Sequence, residues 1–418
     1  MKYIVEGGKK LTGEIKVSGN KNSVFPCVAA ALLTDDRVIL ENISDIADVE
    51  VLTAILQNLG VKVKRDDSIL AIDASQLSNT NLTKDLMGKL RGSMVLVGAL
   101  LARVGKVHFY HPGGDVIGKR SIETHLEGFK SLGAHLQRED LEFRLSYQKI
   151  DKDCTIFLSE SSVTATENLI LASVLGSRVV ILKNCPKEPH IIDLCKMLIG
   201  MGAAIKGVGT DTIKISGVEK LKGVRFRIGI DYIEVGTYAV AAAITGGRVT
   251  ITNIDDTDLD PIIEILKRFG INFIIKKDRV TVSAEKLASV PRLTTNLWPG
   301  FPTDLMSAAI VLATQSSGVT LCHDWMYESR MFFVDKLISM GANVILADPH
   351  RVFVYGPSKL KGRILETPDI RAGMALVLAA LVAKGESVIN QAELIERGYE
   401  DVLGKLRKLG AQIERSEV

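Results

Sequence analysis

Three basic residues, Lys21, Arg91 and Arg371, stand where apolar stretches with helical composition begin. The N-terminus of a helix already has a partial positive charge, so Lys or Arg there is disfavoured and needs another reason. The same N-termini bind anions through their free N–H groups. Brought together, these three side chains would form a site for a highly anionic substrate. The Ser, Thr and Asp residues of the neighbouring polar clusters also fit ordinary helix caps.

Three further basic residues, Arg120, Arg330 and Arg397, lie in predicted loops. Arg120 ends the glycine-rich loop, residues 112–120, whose spacing fits neither a Walker A motif nor a dinucleotide-binding GxGxxG turn. Its composition fits a mobile loop that covers a site during a reaction, although a solvated turn has the same composition.

The elements that must position these residues repeat six times. An apolar residue followed by glycine recurs about every 70 residues, which is longer than the roughly 20–50 residues of solenoid repeats. Around each pair the hydrophobic pattern predicts an α/β unit of order βαβαββ, with the glycine ending the second helix in left-handed conformation. The first helix of each unit is apolar nearly all round, so we expect it inside, covered by sheets. The pairs are Leu59-Gly60, Leu132-Gly133, Met201-Gly202, Phe269-Gly270, Met340-Gly341 and Leu409-Gly410.

Six units divide naturally into three and three. We therefore predict an α/β (α+β) fold of two similar domains: residues 22–229, which include the glycine-rich loop, and residues 1–21 together with 230–418. The first strand, ending near residues 18–20, would cross over and pair with the second half. A cleft between the two domains would bring the basic residues together.

The overall composition narrows the class of protein. Lys and Arg number 52 against 49 Asp and Glu, a net charge of +3, which argues against nucleic-acid binding. The five scattered cysteines and seven histidines have no metal-ligand spacing, and the cysteines fit reduced thiols in the cytoplasm. The N-terminus lacks the pattern of a signal peptide, and the longest apolar run, residues 374–383, is too short to span a membrane.

Seven motifs between residues 5 and 415 resemble those of the enolpyruvyl transferases. They are Ser18-Gly19-Asn20-Lys21-Asn22, Arg91-Gly92-Ser93, Pro112-Gly113-Gly114-Asp115-Val116-Ile117-Gly118-Lys119-Arg120, Phe301-Pro302-Thr303-Asp304, Glu328-Ser329-Arg330, Asp369-Ile370-Arg371 and Arg397-Gly398-Tyr399-Glu400. The resemblance implies two inside-out α/β barrels, each of three βαβαββ units. It also implies transfer of the enolpyruvyl group of phosphoenolpyruvate to the 3-hydroxyl of UDP-N-acetylglucosamine. Phosphate would leave through a tetrahedral intermediate, in the first committed step of peptidoglycan synthesis.

The same resemblance implies partners and cofactors. The two substrates would be the chain's partners, with no nucleic acid, no membrane, no metal and no organic cofactor. We expect a cytoplasmic monomer or weak homo-oligomer.

The resemblance further assigns roles to single residues. Lys21, Arg120 and Arg397 would hold the phosphate and carboxylate of phosphoenolpyruvate, for which guanidinium forks and an ammonium point charge are suited. Asp304 would accept the proton of the sugar hydroxyl, and Asp115 would protonate the methylene carbon of phosphoenolpyruvate. The remaining expected substrate-binding residues are Asn22, Arg91, Ser121, Ile122, Glu123, Thr124, Ser161, Ser162, Val163, Thr164, Met326, Tyr327, Arg330, Asp369 and Arg371.

Aspartate stands at position 115, where many members of the family have cysteine. A carboxyl group of ordinary acidity is protonated in only about one molecule in a thousand at neutral pH. We therefore expect the reaction to run best below neutral pH, or only once the substrates are bound. Because a carboxylate is a poorer nucleophile than a thiolate toward the epoxide antibiotic fosfomycin, we also expect fosfomycin resistance.

The predicted sugar-binding segments also depart from the family pattern. Ser121-Ile122-Glu123-Thr124-His125 stands where Pro-Val-Asp-Leu-His is usual, and Thr164 stands where glycine is frequent. These differences leave a different nucleotide acceptor open. An enolpyruvylshikimate-phosphate synthase, which usually has Asp-Lys-Ser at the position of Asn20-Lys21-Asn22, is a further alternative. A non-catalytic paralogue that binds nucleotide sugar is another, although the presence of Asp304 and Arg397 argues against it.

Overall fold

The computed structural model describes residues 1–115, 117–147 and 152–417. They form two compact units, which we name by the part of the sequence that dominates each. The N-terminal unit comprises Gly19–Gly114 and Arg120–Gly229, and the C-terminal unit comprises Met1–Ser18, Asp115–Lys119 and Ile230–Val418. The first boundary therefore falls between residues 18 and 19, whereas the predicted boundary lies between residues 21 and 22. Part of the glycine-rich loop also groups with the C-terminal unit, although its neighbours in sequence belong to the other.

The chain begins with two strands of the C-terminal unit, β1 (Lys2–Glu6) and β2 (Thr12–Lys16). The first repeat of the N-terminal unit follows with α1 (Lys21–Ala31), β3 (Val38–Glu41), α2 (Ala47–Asn58), β4 (Lys62–Asp66) and β5 (Ile69–Asp73). The second contains α3 (Lys84–Lys89), a 3-10 helix (Arg91–Val95), α4 (Leu96–Val104), β6 (Lys106–Tyr110), α5 (Glu123–Ser131), β7 (Ala134–Glu139) and β8 (Glu142–Tyr147). The third contains β9 (Cys154–Phe157), α6 (Val163–Ser173), β10 (Val179–Lys183), α7 (Pro189–Gly200), β11 (Ala204–Lys206), β12 (Thr212–Ser216) and the closing strand β13 (Arg225–Arg227).

The C-terminal unit continues with three repeats of the same order. The fourth repeat contains α8 (Tyr232–Ile244), β14 (Arg248–Thr252), α9 (Asp260–Arg268), β15 (Ile271–Lys276) and β16 (Arg279–Ala284). The fifth contains β17 (Arg292–Thr294), a 3-10 helix (Thr303–Leu305), α10 (Met306–Gln315), β18 (Gly318–His323), α11 (Val334–Ser339), β19 (Asn343–Asp348) and β20 (Arg351–Gly356). The sixth contains β21 (Ile364–Glu366), α12 (Ile370–Val382), β22 (Glu386–Asn390), a 3-10 helix (Ala392–Arg397), α13 (Val402–Lys408) and β23 (Gln412–Ser416).

Each repeat has its own sheet, and in every repeat but the second a parallel pair is extended by antiparallel strands. In the third repeat β9 pairs parallel with β10, and β10 and β11 each pair antiparallel with β12. The fourth repeat takes its parallel strand from the start of the chain, because β2 pairs with β14 and places Thr12 opposite Arg248. The predicted crossover of the first strand is thus confirmed. The first repeat takes its parallel strand from β13, which pairs with β3.

The second repeat differs from the predicted order at its first strand. Its sheet has three strands, β6, β8 and β7, and the expected parallel strand is reduced to a single bridge between Asn81 and His108. The physical reason is local, because α3 begins at Lys84, directly after this bridge, and leaves no room for a longer strand.

The apolar first helices lie inside their units, as predicted. Helices α1, α4 and α6 contact one another in the N-terminal unit, and α8, α10 and α12 do so in the C-terminal unit. Each triplet belongs to a separate hydrophobic core. The helices approach closely at Gly98 of α4, where an added Cβ would lie 2.2 Å from the backbone oxygen of Asn168 in α6. Among the described residues no helix has both the length and the apolar character needed to cross a bilayer.

The glycines that define the repeat end the second helices in the expected way. Gly60 has a φ of 87° and Gly202 a φ of 103°, and the other four lie between these values. Left-handed backbone of this kind is easily adopted by glycine alone, so the apolar-glycine pair is a helix stop that can be recognised from sequence.

Candidate active site

The predicted site residues fall into two groups, one in each unit. The N-terminal unit contains Lys21, Asn22, Arg91, Arg120, Ser121, Ile122, Glu123, Thr124, Ser161, Ser162, Val163 and Thr164. The C-terminal unit contains Asp115, Asp304, Met326, Tyr327, Arg330, Asp369, Arg371 and Arg397. Most of them lie at or near the N-terminus of an inner helix or in the loop after a strand, the positions that the repeat makes equivalent.

Asp304 is the centre of the C-terminal group. It lies in the 3-10 helix that leads into α10, and both of its carboxylate oxygens accept hydrogen bonds from arginine. Oδ1 accepts from Nη2 of Arg330 at 3.0 Å. Oδ2 accepts from Nε and Nη2 of Arg371 at 3.1 and 3.0 Å. The Arg330 side chain is only 2% exposed and that of Arg371 only 6%. Two buried guanidinium groups therefore favour the ionised carboxylate, the form that can accept a proton.

The two arginines are themselves held by neighbouring groups. The guanidinium of Arg330 lies over the ring of Tyr327 at 5.4 Å and that of Arg371 over Tyr399 at 5.0 Å. Asp369 caps α12 by accepting hydrogen bonds from the backbone N–H groups of residues 371 and 372, and its Oδ1 lies 3.9 Å from Nη1 of Arg330. Burial raises the pKa of the Asp369 carboxyl, while the Arg330 charge opposes that rise. Asp369 thus positions the helix that holds Arg371.

The glycine-rich loop lies against the motif that contains Arg330. The backbone N–H of Ser329 donates to the Ile117 carbonyl at 3.0 Å. Gly118 has a φ of 135°, a conformation that residues with a side chain rarely adopt, and an added Cβ there would lie 2.1 Å from Oε2 of Glu328. In the same loop Asp115 accepts a hydrogen bond through Oδ1 from Nη1 of Arg397 at 3.1 Å. The structure therefore brings together the predicted acid and a predicted anion-binding residue.

Asp324 is a positioning residue that the sequence did not single out. It is fully buried, and its Oδ2 accepts a hydrogen bond from the hydroxyl of Thr303. Its Oδ1 accepts from the backbone N–H of Met326 at 3.0 Å. Asp324 thereby joins the segment of Asp304 to the segment of Met326 and Tyr327. Its only sequence signal is a carboxylate directly after the end of β18.

In the N-terminal unit, Lys21 is the first residue of α1. Its unfavourable position at a helix start is offset by an ion pair, because Nζ lies 2.8 Å from Oδ2 of Asp48. Both side chains are at most 10% exposed. Asn20 caps the helix by accepting from the backbone N–H groups of Asn22 and Ser23. The structure thus supplies a partner for Lys21 in the chain itself.

Arg91 organises the backbone that follows the glycine-rich loop. Its Nη2 donates to the carbonyl of Arg120 at 2.8 Å and to that of Ser121 at 3.0 Å. Among the next residues, Ile122 is part of the core and Glu123 forms an exposed ion pair with Arg138. The side chain of Ile122 is therefore turned away from solvent, so only its backbone could contact a ligand.

Helix α6 begins at the second predicted sugar-binding segment. Ser162 is its N-cap and accepts from the backbone N–H of Ala165 at 3.4 Å. Thr164 lies in the first turn, and its Oγ1 is 3.1 Å from Nε2 of His125. His125 is 1% exposed, and burial together with the Arg91 charge lowers its pKa to about 3. The imidazole is consequently neutral at physiological pH. His125 links α5 to α6, and it lies inside the unit behind Thr164.

Comparisons with known proteins match the whole chain. A family model described as EPSP synthase (3-phosphoshikimate 1-carboxyvinyltransferase) matches residues 5–406. Among relatives, the UDP-N-acetylglucosamine 1-carboxyvinyltransferase of Borrelia garinii subsp. bavariensis is 47% identical, over 99% of this chain and 98% of its own length. The protein of the same name from Bradyrhizobium diazoefficiens is 44% identical, with 99% and 98% covered.

Solved structures have the same fold. The enolpyruvyl transferase NikO from Streptomyces tendae superposes with a TM-score of 0.88 at 26% identity, covering 99% of this chain and 98% of its own. An EPSP synthase from Acinetobacter baumannii superposes with a TM-score of 0.78 at 18% identity, with both chains fully covered, which shows a shared fold only. The predicted two-domain α/β fold is confirmed. Because it matches the family model and these relatives along nearly its full length, the chain belongs to the EPSP synthase family of enolpyruvyl transferases.

Proposed function

We propose that this chain transfers the enolpyruvyl group of phosphoenolpyruvate to the 3-hydroxyl of UDP-N-acetylglucosamine and releases phosphate. The observation that supports this acceptor best is the name shared by relatives that are 44–47% identical from end to end. The geometry fits such a reaction, because an ionised carboxylate, Asp304, and a second carboxyl group, Asp115, are both held by arginine in one unit.

In the proposed mechanism Asp304 orients the sugar 3-hydroxyl and takes its proton as the oxygen attacks C2 of phosphoenolpyruvate. Asp115 donates a proton to C3, so that the double bond becomes a single bond and a tetrahedral intermediate forms. The intermediate collapses when the Asp115 carboxylate takes a proton back from C3 and the bond from C2 to the phosphate oxygen breaks, and the leaving phosphate takes the proton that Asp304 had accepted. The products are inorganic phosphate and the enolpyruvyl ether of the nucleotide sugar.

In these steps the basic residues hold three anionic groups: the phosphate and the carboxylate of phosphoenolpyruvate, and the carboxylate of Asp304. Lys21, Arg120 and Arg397 are proposed to bind the phosphate and carboxylate of phosphoenolpyruvate. The guanidinium groups of Arg330 and Arg371 hold Asp304 in one orientation, which a general base needs for hydrogen-bond contact with the hydroxyl. Arg91, together with Arg330 and Arg371, is proposed to complete the positive field of the site. The residues proposed to bind the nucleotide sugar, besides Asp304, are Asn22, Arg120, Ser121, Ile122, Glu123, Thr124, Ser161, Ser162, Val163, Thr164, Met326 and Tyr327.

The proposed setting follows from this reaction. The enolpyruvyl sugar is a precursor of peptidoglycan, and both substrates are small cytoplasmic molecules, so we place the enzyme in the cytoplasm. We further propose that it is a monomer or weak homo-oligomer. A carboxylate at position 115 is proposed to leave the enzyme resistant to fosfomycin.

The test is phosphate release by the purified protein with each substrate alone and with both. We expect release only with both. Asp115→Asn should slow it by roughly 10²–10⁴-fold, the usual effect of removing a general acid. The matched control is Asp278→Asn, a change at an exposed carboxylate of the same unit, which should release phosphate at the unmodified rate.

Other outcomes would contradict the proposal in distinct ways. Unchanged release by Asp115→Asn would remove Asp115 from the chemistry and leave the transfer. Release with shikimate 3-phosphate instead of the nucleotide sugar would identify a different acceptor. Tight binding of UDP-N-acetylglucosamine without any release would identify a non-catalytic binding protein.

A further inference from the structure

A chain of buried hydrogen bonds in the N-terminal unit begins at the backbone of α4. The N–H of Gly98 donates to Oδ1 of Asn168 at 2.7 Å, which fixes the oxygen end of that amide. Nδ2 of Asn168 lies 2.9 Å from the carbonyl oxygen of Met94 and 2.9 Å from Nδ1 of His125. Asn168 is fully buried, so its amide has no water with which to exchange these partners.

The direction of the next hydrogen bond follows from the chemistry of these groups. An amide nitrogen can only donate, so Nδ1 of His125 must accept and has no proton. The pKa of about 3 keeps the ring neutral, so its single proton is on Nε2. Arg91 is the charged residue that acts on this imidazole, and it also disfavours a second proton. Nε2 therefore donates to Oγ1 of Thr164, at 3.1 Å.

The hydroxyl of Thr164 is left with one proton to donate. Its oxygen accepts from His125, and within the described parts of the chain no acceptor for its own proton is found. Thr164 is partly exposed in the first turn of α6, an eleven-residue helix. The free N–H groups and dipole of such a turn favour a negatively charged oxygen.

We propose that His125 is a positioning residue that holds the Thr164 hydroxyl as a fixed hydrogen-bond donor to the diphosphate of the nucleotide sugar. This inference rests on the proposed function. It gives Thr164 a role that glycine at this position could not have, because glycine has no hydroxyl. The chain thereby selects a ligand with an anionic oxygen at the start of α6 over one with only donors there.

The first test compares the binding of UDP and uridine by calorimetry. Thr164→Val keeps the shape of the side chain and removes the donor, so UDP should bind roughly tenfold or more weakly, as expected for a hydrogen bond to a charged group. Uridine, which lacks the diphosphate, should bind as before. Thr164→Ser is the matched control and should keep the affinity for UDP within about twofold.

The second test examines His125 itself. Nitrogen NMR of the unmodified protein should show a neutral ring protonated on Nε2 that does not titrate between about pH 5 and pH 8. His125→Phe should raise the KM for the nucleotide sugar by the same factor as Thr164→Val and leave that for phosphoenolpyruvate unchanged. The double variant should be no worse than either single variant, since one interaction is lost in all three.

Three results would overturn the inference. The first is a His125 ring protonated on Nδ1. The second is an equal loss of UDP and uridine binding in Thr164→Val. The third is unchanged UDP binding in that variant, while the unmodified protein transfers the enolpyruvyl group. If the unmodified protein binds UDP but transfers no enolpyruvyl group, the proposed function fails instead. The two failures are therefore distinguishable.

Discussion

One buried polar cluster in each unit lies near the N-terminus of an inner helix, and these two clusters differ in charge. The cluster of the C-terminal unit is ionic, with Asp304 between Arg330 and Arg371. The cluster of the N-terminal unit is neutral, with Asn168 and Thr164 on either side of His125. Both clusters are held by hydrogen bonds at ordinary distances, but in the ionic cluster Nε of Arg330 and Nη1 of Arg371 are buried without a hydrogen-bond partner among the described residues.

The difference shows two ways in which a fold prepares a site for an anionic substrate. An ionic cluster supplies charge, but burying each ion is costly, so the cluster is stable only while every partner is present. A neutral cluster supplies direction, because a chain of donors and acceptors fixes where the last proton points. We therefore expect the stability of the ionic cluster to fall when one charged partner is removed. The stability of the neutral cluster should fall when a polar side chain is replaced by an apolar one, and at low pH.

The largest expected effect is that of Asp304→Asn. The amide cannot balance two buried guanidinium groups, so the C-terminal unit should lose about 3 kcal/mol of unfolding free energy. The loss lies at the lower end of the range for a broken buried pair because Asp304 itself is 26% exposed. Amide hydrogen exchange, followed by mass spectrometry of peptides from each unit, should show faster exchange in residues 230–417 and little change in residues 19–114.

The control for this change is Asp278→Asn, which removes an exposed partner of Arg279 in the same unit. Exchange should stay as in the unmodified protein, since exposed ion pairs contribute little. Equal acceleration in the two variants would contradict the view that burial makes the Asp304 cluster sensitive.

The sequence predicted the scaffold of these clusters better than their contacts. The six repeats, the buried first helices and the glycine helix ends depend on local hydrophobic pattern and backbone conformation, which a sequence displays directly. The partners of Asp304 lie at positions 330 and 371, and that of Lys21 lies at position 48. Such pairings depend on how elements pack, so the motif resemblance named candidate residues but did not predict which residues pair with them.

Residues that act behind the site were the hardest to predict. Asp324 and Asn168 resemble any other polar residue in sequence, and their roles exist only through backbone groups that tertiary packing brings near. The reduced first strand of the second repeat was also not predicted, because the predicted order of elements did not include the extra helix α3 that begins at Lys84.

The next effect in size is that of Asn168→Leu. Leucine has a similar volume but leaves the N–H of Gly98 and Nδ1 of His125 without this partner, at a cost of about 1 kcal/mol each and about 2 kcal/mol together. The carbonyl of Met94 still accepts from the N–H of Leu96. Exchange should accelerate in peptides of the N-terminal unit. Asn58→Leu, an exposed change in the same unit, is the control and should have no such effect. If Asn168→Leu leaves exchange and the His125 tautomer unchanged, the directional role of the neutral cluster is wrong.

The smallest effect is a dependence of stability on pH that comes from His125 in the neutral cluster. The pKa of His125 is lowered from 6.5 to about 3, so below pH 6.5 the unfolded chain binds a proton that the folded chain does not. The stability from this residue is complete above pH 6.5 and is lost as the pH falls toward 3, by about 1.4 kcal/mol at pH 5.5.

Raised carboxyl pKa values act in the opposite direction, and they occur in both units. Burial raises the pKa of Glu234 and Asp369 in the C-terminal unit and of Asp193 in the N-terminal unit. Such groups contribute stability below their unfolded pKa that is lost as the pH rises through their folded pKa.

The contribution of His125 must therefore be measured as the difference in unfolding free energy between the unmodified protein and His125→Phe. This variant removes the titrating ring and leaves the carboxyl groups in place. The stability advantage of the unmodified protein over this variant should shrink by about 1.4 kcal/mol between pH 7.5 and pH 5.5 in the N-terminal unit, and stay constant in the C-terminal unit. A constant difference in both units would mean that His125 binds its proton equally well in the folded and unfolded chain, which its burial and its bond to Asn168 contradict.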